Sequence, residues 1–175
     1  MKSKNIVALA LLAGMGVVLH AITPPIIMGV KPDMMLVMMF LGILLFTDIK
    51  SVALIGLVSG ILSALTTGFP GGQIPNIIDK LITAFIFYGL LSLLKNISAK
   101  SIVAIVLTAI GTLVSGFIFL TSAYIIVGLP GAFIALFAAS VLPAVILNAI
   151  LMAILFPITK SINKRTKLNE RTIHL

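Results

Sequence analysis

Residues 68–80 read GFPGGQIPNIIDK. Three glycines, two prolines, the amides Gln73 and Asn76 and the adjacent pair Asp79 and Lys80 fall together here, between two strongly hydrophobic segments. Backbone that is not regular helix persists at membrane depth only where protein covers it or where it lines a cavity. The stretch is therefore expected to form a lid or binding loop. A second interruption, residues 24–33, carries Lys31 and Asp33. Two polar loops on one face of a small bundle predict a pocket between them.

Outward from these loops the chain is membrane-like. Its 175 residues are 61% hydrophobic and 9% charged, with a mean hydropathy of +1.30, far outside soluble usage. At roughly 20 residues per span, this length holds about six helices in one domain, residues 1–175, and no separate soluble domain. Any ATPase must then be another chain. The sequence contains no GxxxxGK followed by Ser or Thr, no HExxH and no GxSxG, and it has no cysteine. Thiolate metal sites and cysteine nucleophiles are thereby removed, so neither catalysis nor a metal or other cofactor is expected. The first residues, MKSKNIVALALLAGMGVVLHA, have the basic head and apolar body of a signal peptide. Because the apolar run continues to about Ile22, it reads as a first span that is kept.

The spans follow from the breaks. The first covers residues 5–22 and stops at Pro24 and Pro25. The second, 32–46, opens on Pro32, a favourable first-turn proline, with Asp33 in its first turn. The third, 52–67, carries Gly56, Gly60 and Ala64 at spacing four, a stripe that lets helices approach closely in lipid. The fourth is 76–94, followed by a basic turn at 95–101, and the fifth is 102–127. The sixth is 132–158, with a kink expected at Pro143 and a basic tail over about 160–175. In this arrangement ten lysines and arginines fall on one side and only Lys31 and Lys80 on the other. That bias predicts cytoplasmic termini and outward-facing polar loops. The net charge of +8 is then explained by topology and anionic lipid, not by nucleic acid.

Lys31, Asp33, Asp79 and Lys80 give the outer face two acids and two bases, which matches a zwitterion. The competing reading makes Asp33 a helix-start residue and Asn76 with Asp79 a cap pair for the fourth span. Gln73 and Asn76 are further ligand candidates. So is His20, one turn from the outer end of span 1. Phe69 and Phe85 are expected to form part of a slot for a flat ring, with Tyr124 a weaker candidate beside an ordinary aromatic belt. Asn148 is read chiefly as an interhelical hydrogen bond toward the cytoplasmic side. The paired methionines Met34, Met35, Met38 and Met39 are read as adaptable packing.

Three runs, KPDMMLVMMFLGILLF (31–46), GQIPNIIDK (72–80) and VGLPGAFIALFAASVLPAVILN (127–148), resemble the tryptophan transport protein family of Gram-positive bacteria. That family is grouped with the substrate-binding S components of energy-coupling-factor transporters. The resemblance covers essentially the whole chain. It implies a subunit in the bacterial cell membrane that captures tryptophan from outside and works with a transmembrane coupling subunit and two ATPases. In S components the first helix offers an AxxxA face to the coupling subunit. Ala10 and Gly14 have that spacing here, with Gly14 departing from alanine. A solitary carrier driven by an ion gradient is the alternative. Its mark is an acid or histidine buried mid-span, whereas the charges here are read at span ends.

Overall fold

The computed structural model describes residues 3–27, 29–94 and 101–166, with side chains as far as Asn163. The basic turn at 95–100 and the tail beyond 166 lie outside the described residues, and so do the side chains of Lys164 and Arg165. Among the described residues the chain is helical, with one isolated bridge between Ile27 and Val30. The helices are α1 (Ser3–Ile22), α2 (Met34–Leu45), α3 (Ile49–Leu65), α4 (Gln73–Leu93) and α5 (Ser101–Ile126). A sixth rod comprises α6 (Phe133–Leu136), a π turn (Phe137–Val141) and α7 (Leu142–Thr166). The helices α1, α4 and α5 and the sixth rod are long and apolar enough to cross a membrane, while α2 and α3 are shorter.

The helix starts are set by side-chain chemistry. Asp33 lies just outside α2 and caps it, its Oδ1 accepting the Leu36 N–H at 3.0 Å. Pro32 therefore precedes the cap and is not in the first turn. Asp48 caps α3 in the same way through the Ser51 N–H, which starts that helix three residues earlier than its apolar run does. α4 begins at Gln73, so the second half of the 68–80 stretch is helix and not loop. The expected Asn76/Asp79 cap pair is not formed. Gly72 is the N-cap, Asn76 Nδ2 donates to the Gly72 carbonyl at 2.7 Å, and Asp79 faces the interior. The remaining loop turns on Gly71, whose φ of +71° suits glycine. A side chain there would also strike Val127, with a Cβ only 2.5 Å from its Cγ1.

The shortest long helix is the most enclosed. Every residue from Met34 to Leu44 is buried, because α1, α3, α4, α5 and α7 all pack against α2. Twelve residues span only about 18 Å, less than the roughly 30 Å of a hydrocarbon core, but a helix surrounded by protein need not reach both interfaces. Its methionine pairs fill this core, as expected. Phe40 stacks on Phe87 of α4, with ring centroids 4.1 Å apart. The small-residue stripe of α3 meets α4: a Cβ on Gly60 would lie 3.0 Å from the Ile77 Cα, and one on Gly56 would lie 2.8 Å from the Ala84 Cβ.

The break at Pro143 takes a specific form. Proline has no N–H and its ring crowds the carbonyl four residues back. Just before it the ladder widens, and the Leu142 N–H reaches the Phe137 carbonyl five residues back. This π turn carries Ser140 and Val141 to the cavity described below.

Candidate functional site

In α4 the buried residues are Pro75, Asn76, Asp79, Lys80, Thr83, Ala84, Phe87 and Leu91, a stripe at helical spacing. Its N-terminal half is mostly polar and its C-terminal half apolar. Opposite it, α5 presents Thr108, Thr112 and Ser115, also buried and at helical spacing. Polar side chains in a span turn toward the bundle interior because lipid offers them no partner. The two polar stripes therefore face each other.

Between them lies a charge cluster. Lys80 Nζ is 2.8 Å from Asp33 Oδ2 and 2.8 Å from Asp79 Oδ2. Asp79 is saturated: its Oδ1 accepts from Thr83 Oγ1 at 2.9 Å, and its Oδ2 accepts from Ser115 Oγ at 2.9 Å as well as from Lys80. Asp33 differs, since its side chain remains 30% exposed against 1% for Asp79. Asn148 locks Asp33 from behind, its Oδ1 accepting the Asp33 N–H at 2.9 Å while its Nδ2 donates to Thr112 Oγ1 at 3.2 Å. The interhelical reading of Asn148 is thus realised. Its level in the bundle differs from expectation, because α2 starts beside it.

These groups line a cavity of about 310 Å³, within the range of small-molecule sites. On one wall Lys31 Nζ donates to the His20 carbonyl at 3.0 Å, which satisfies one of the free carbonyls at the end of α1. Phe69 and Phe119, also in the lining, meet edge to face, with centroids 5.4 Å apart and planes at 85°. A lining that combines charged groups with aromatic edges suits a ligand that is both zwitterionic and flat.

The family model described as "Tryptophan transporter TrpP" matches residues 2–164. The chain belongs to the TrpP family of tryptophan transporters. A "Probable tryptophan transport protein" of Bacillus subtilis (strain 168) is 56% identical over 170 residues, 97% of this chain and 98% of the relative. A protein of the same name from Clostridium acetobutylicum is 47% identical over 160 residues, 91% and 94% of the two chains. A third, from Clostridium perfringens, is 39% identical over 175 residues, 95% and 96% of the two chains. No solved structure matches this chain significantly. The chain is accordingly a transporter and not an enzyme, and its four membrane-capable helices make it a multi-pass membrane protein.

In this TrpP chain the cavity gathers His20, Lys31, Asp33, Phe69, Asn76, Asp79 and Lys80 from the sequence-based candidates. It does not gather Gln73, Phe85 or Tyr124. Gln73 is the first residue of α4 and is exposed. Phe85 is 40% exposed, because five residues past Lys80 a side chain has turned about 140° around the helix. Tyr124, 66% exposed, stands on the outside of α5. Phe119 takes the place expected of Phe85. Ser63, Thr112 and Ser115 also line the cavity without having been anticipated. The signal for the last two was present: hydroxyls at positions 108, 112 and 115 share one face of an otherwise apolar helix.

Proposed function

We propose that this chain is a membrane-embedded substrate-binding subunit, an S component, that captures tryptophan from the outer face and delivers it with a separate transmembrane coupling subunit and two ATPases. In this reading it has six spans and cytoplasmic termini. The observation that carries the ligand assignment is the single cavity joining Asp33 and Lys31 to the Phe69–Phe119 edge pair. Asp33, the more accessible of the two acids, takes the ligand ammonium. His20, whose Nδ1 has no partner among the described residues, offers that ammonium a second acceptor. Lys31 takes the carboxylate, and the two phenylalanines hold the indole. Lys80 and Asp79 form the support behind Asp33.

The chain has no tryptophan of its own, so the ligand's indole fluorescence reports binding directly. Purified protein without partners is expected to bind tryptophan and not to hydrolyse ATP. Vesicles holding this chain alone are expected to show no accumulation against a gradient, with ATP or with an imposed proton or sodium gradient.

A solitary ion-driven carrier is the second reading, and one observation favours it. Asp79 and Lys80 are buried in the bundle, 0% and 3% exposed, not at the span ends where the sequence put them. A buried acid is what such a carrier needs. Ion-driven accumulation by the chain alone would establish it and remove the need for partners.

The partner face supports the first reading. Ala10 and Gly14 lie on the exposed side of α1, and a Cβ on Gly14 would meet nothing within 4 Å. Ala10→Leu or Gly14→Leu is therefore expected to leave tryptophan affinity within about twofold, as for surface changes generally, and to abolish coupled uptake by blocking close helix approach. Parallel loss of binding and uptake in these variants would count against the interface assignment.

A further inference from the structure

We propose that Ser63 is the acceptor for the ring N–H of the substrate, and so the residue that separates tryptophan from amino acids whose flat rings carry no N–H. This rests on the cavity being a tryptophan site. An indole has one donor and no acceptor, so burying it leaves that donor needing an oxygen or nitrogen to meet. Most other hydroxyls around the cavity already accept a hydrogen bond from the protein or are exposed. Ser115 accepts from Lys80, Thr112 accepts from Asn148, and Thr67 accepts the Phe69 N–H, while Thr66, which only donates to the Leu62 carbonyl, is exposed. Ser140 is exposed.

Ser63 is different. It lines the cavity, is 7% exposed, and its Oγ is buried without a hydrogen-bond partner among the described residues. A helix serine commonly satisfies itself on the carbonyl one turn back, and this one does not. Ser59, one turn earlier on α3, also lacks a partner among the described residues, but it does not line the cavity. Ser63 stands two residues before the end of α3, and residues 66–69 continue the cavity wall from it to Phe69. Ser63 is therefore joined to Phe69 along one continuous stretch of the lining. Rotation about one side-chain bond turns its hydroxyl toward a ring held by Phe69 and Phe119. A site that holds a substrate N–H by hydrogen bond discriminates strongly against analogues lacking it, because the buried acceptor is then left unpaired.

The test compares tryptophan with its benzothiophene isostere, in which sulfur replaces the ring N–H, on the purified full-length chain. Direct fluorescence titration measures the first, and competition measures the second. Wild-type protein is expected to favour tryptophan by about tenfold or more. Ser63→Ala is expected to bring that ratio to near one, by weakening tryptophan while leaving the isostere unchanged. An unchanged ratio in Ser63→Ala overturns the proposal, as does equal weakening of both ligands, which would make the serine structural. Wild-type protein that binds neither ligand overturns the tryptophan-site reading itself, a distinct result from either of these.

Discussion

Lys80→Met is expected to lower the stability of the purified protein by about 3–5 kcal/mol, the usual consequence of removing one partner from a buried ion pair. Lys80 is 3% exposed and holds two carboxylates at 2.8 Å. Without it Asp79 keeps its hydroxyl partners Thr83 and Ser115 but loses its only cation within salt-bridge distance among the described residues. Asp33 suffers less, since its side chain is 30% exposed and can be hydrated. The double variant Asp79→Leu with Lys80→Met removes the stranded acid along with the base and is expected to recover much of the loss, because a buried pair exchanged for apolar groups of similar volume is often neutral. Thermal or denaturant unfolding in one detergent measures all three proteins. If Lys80→Met unfolded like wild type, Lys80 and Asp79 would be hydrated and not buried as described above.

The second large effect concerns binding. Asp33→Asn is expected to weaken tryptophan by about 2–5 kcal/mol, the range for truncating one side of a buried charge pair, or roughly thirtyfold and upward. Asparagine caps helices about as well as aspartate, so α2 keeps its start and the loss reports charge. Phe69→Ala removes one edge of the ring slot and is expected to cost about 1–3 kcal/mol, the smaller effect of the two. Phe85→Ala, on the outer face of α4, is expected to change affinity by less than about 0.5 kcal/mol. Asp79→Asn serves as the control on the assignment of roles. Its carboxylate is already fully engaged, so this variant is expected to lose stability more than affinity. The opposite pattern, with Asp79→Asn crippling binding and Asp33→Asn silent, would transfer the ammonium to Asp79. Unchanged affinity in both would leave His20 and the loop carbonyls as the partners.

The helical segments were legible because their signals are strong and local: double proline after α1, glycine and proline before α4 and α6, and long apolar runs between. Helix starts were less so. A capping aspartate adds up to three residues upstream of the apolar run, as Asp48 does, and the PN dipeptide at Pro75 and Asn76 resembles a helix start although the first turn already includes it. The charged half of the site was legible as well, since a lysine and two acids in a lipid-soluble chain have few places to go. Which acid stays partly exposed was not, because Asp79 and Asp33 differ only in what surrounds them after folding. Phe85 was misassigned because nearness in sequence to the loop was taken for nearness to the cavity, without turning the helix. Phe119 and Ser63 could not be singled out among many similar residues until the packing of α3, α4 and α5 brought them to one wall.

The π turn in the sixth rod has a consequence for how the chain tolerates insertion and deletion. A π turn is an α-helix with one residue added, so the two ends of the rod are out of phase by about 100° relative to an unbroken helix. The N-terminal end aims Phe133 at Phe117, with centroids 5.8 Å apart, while the part beyond the π turn independently aims Asn148 at Thr112 and Asp33. Deleting Ala138 or Ala139, both exposed, would close the ladder into plain α-helix and swing one of these two sets off its target. A gap of a single residue between Gly131 and Pro143 is therefore a change of aim and not of length, and a chain that carries one must have reassigned either its aromatic surface or the residue that braces Asp33.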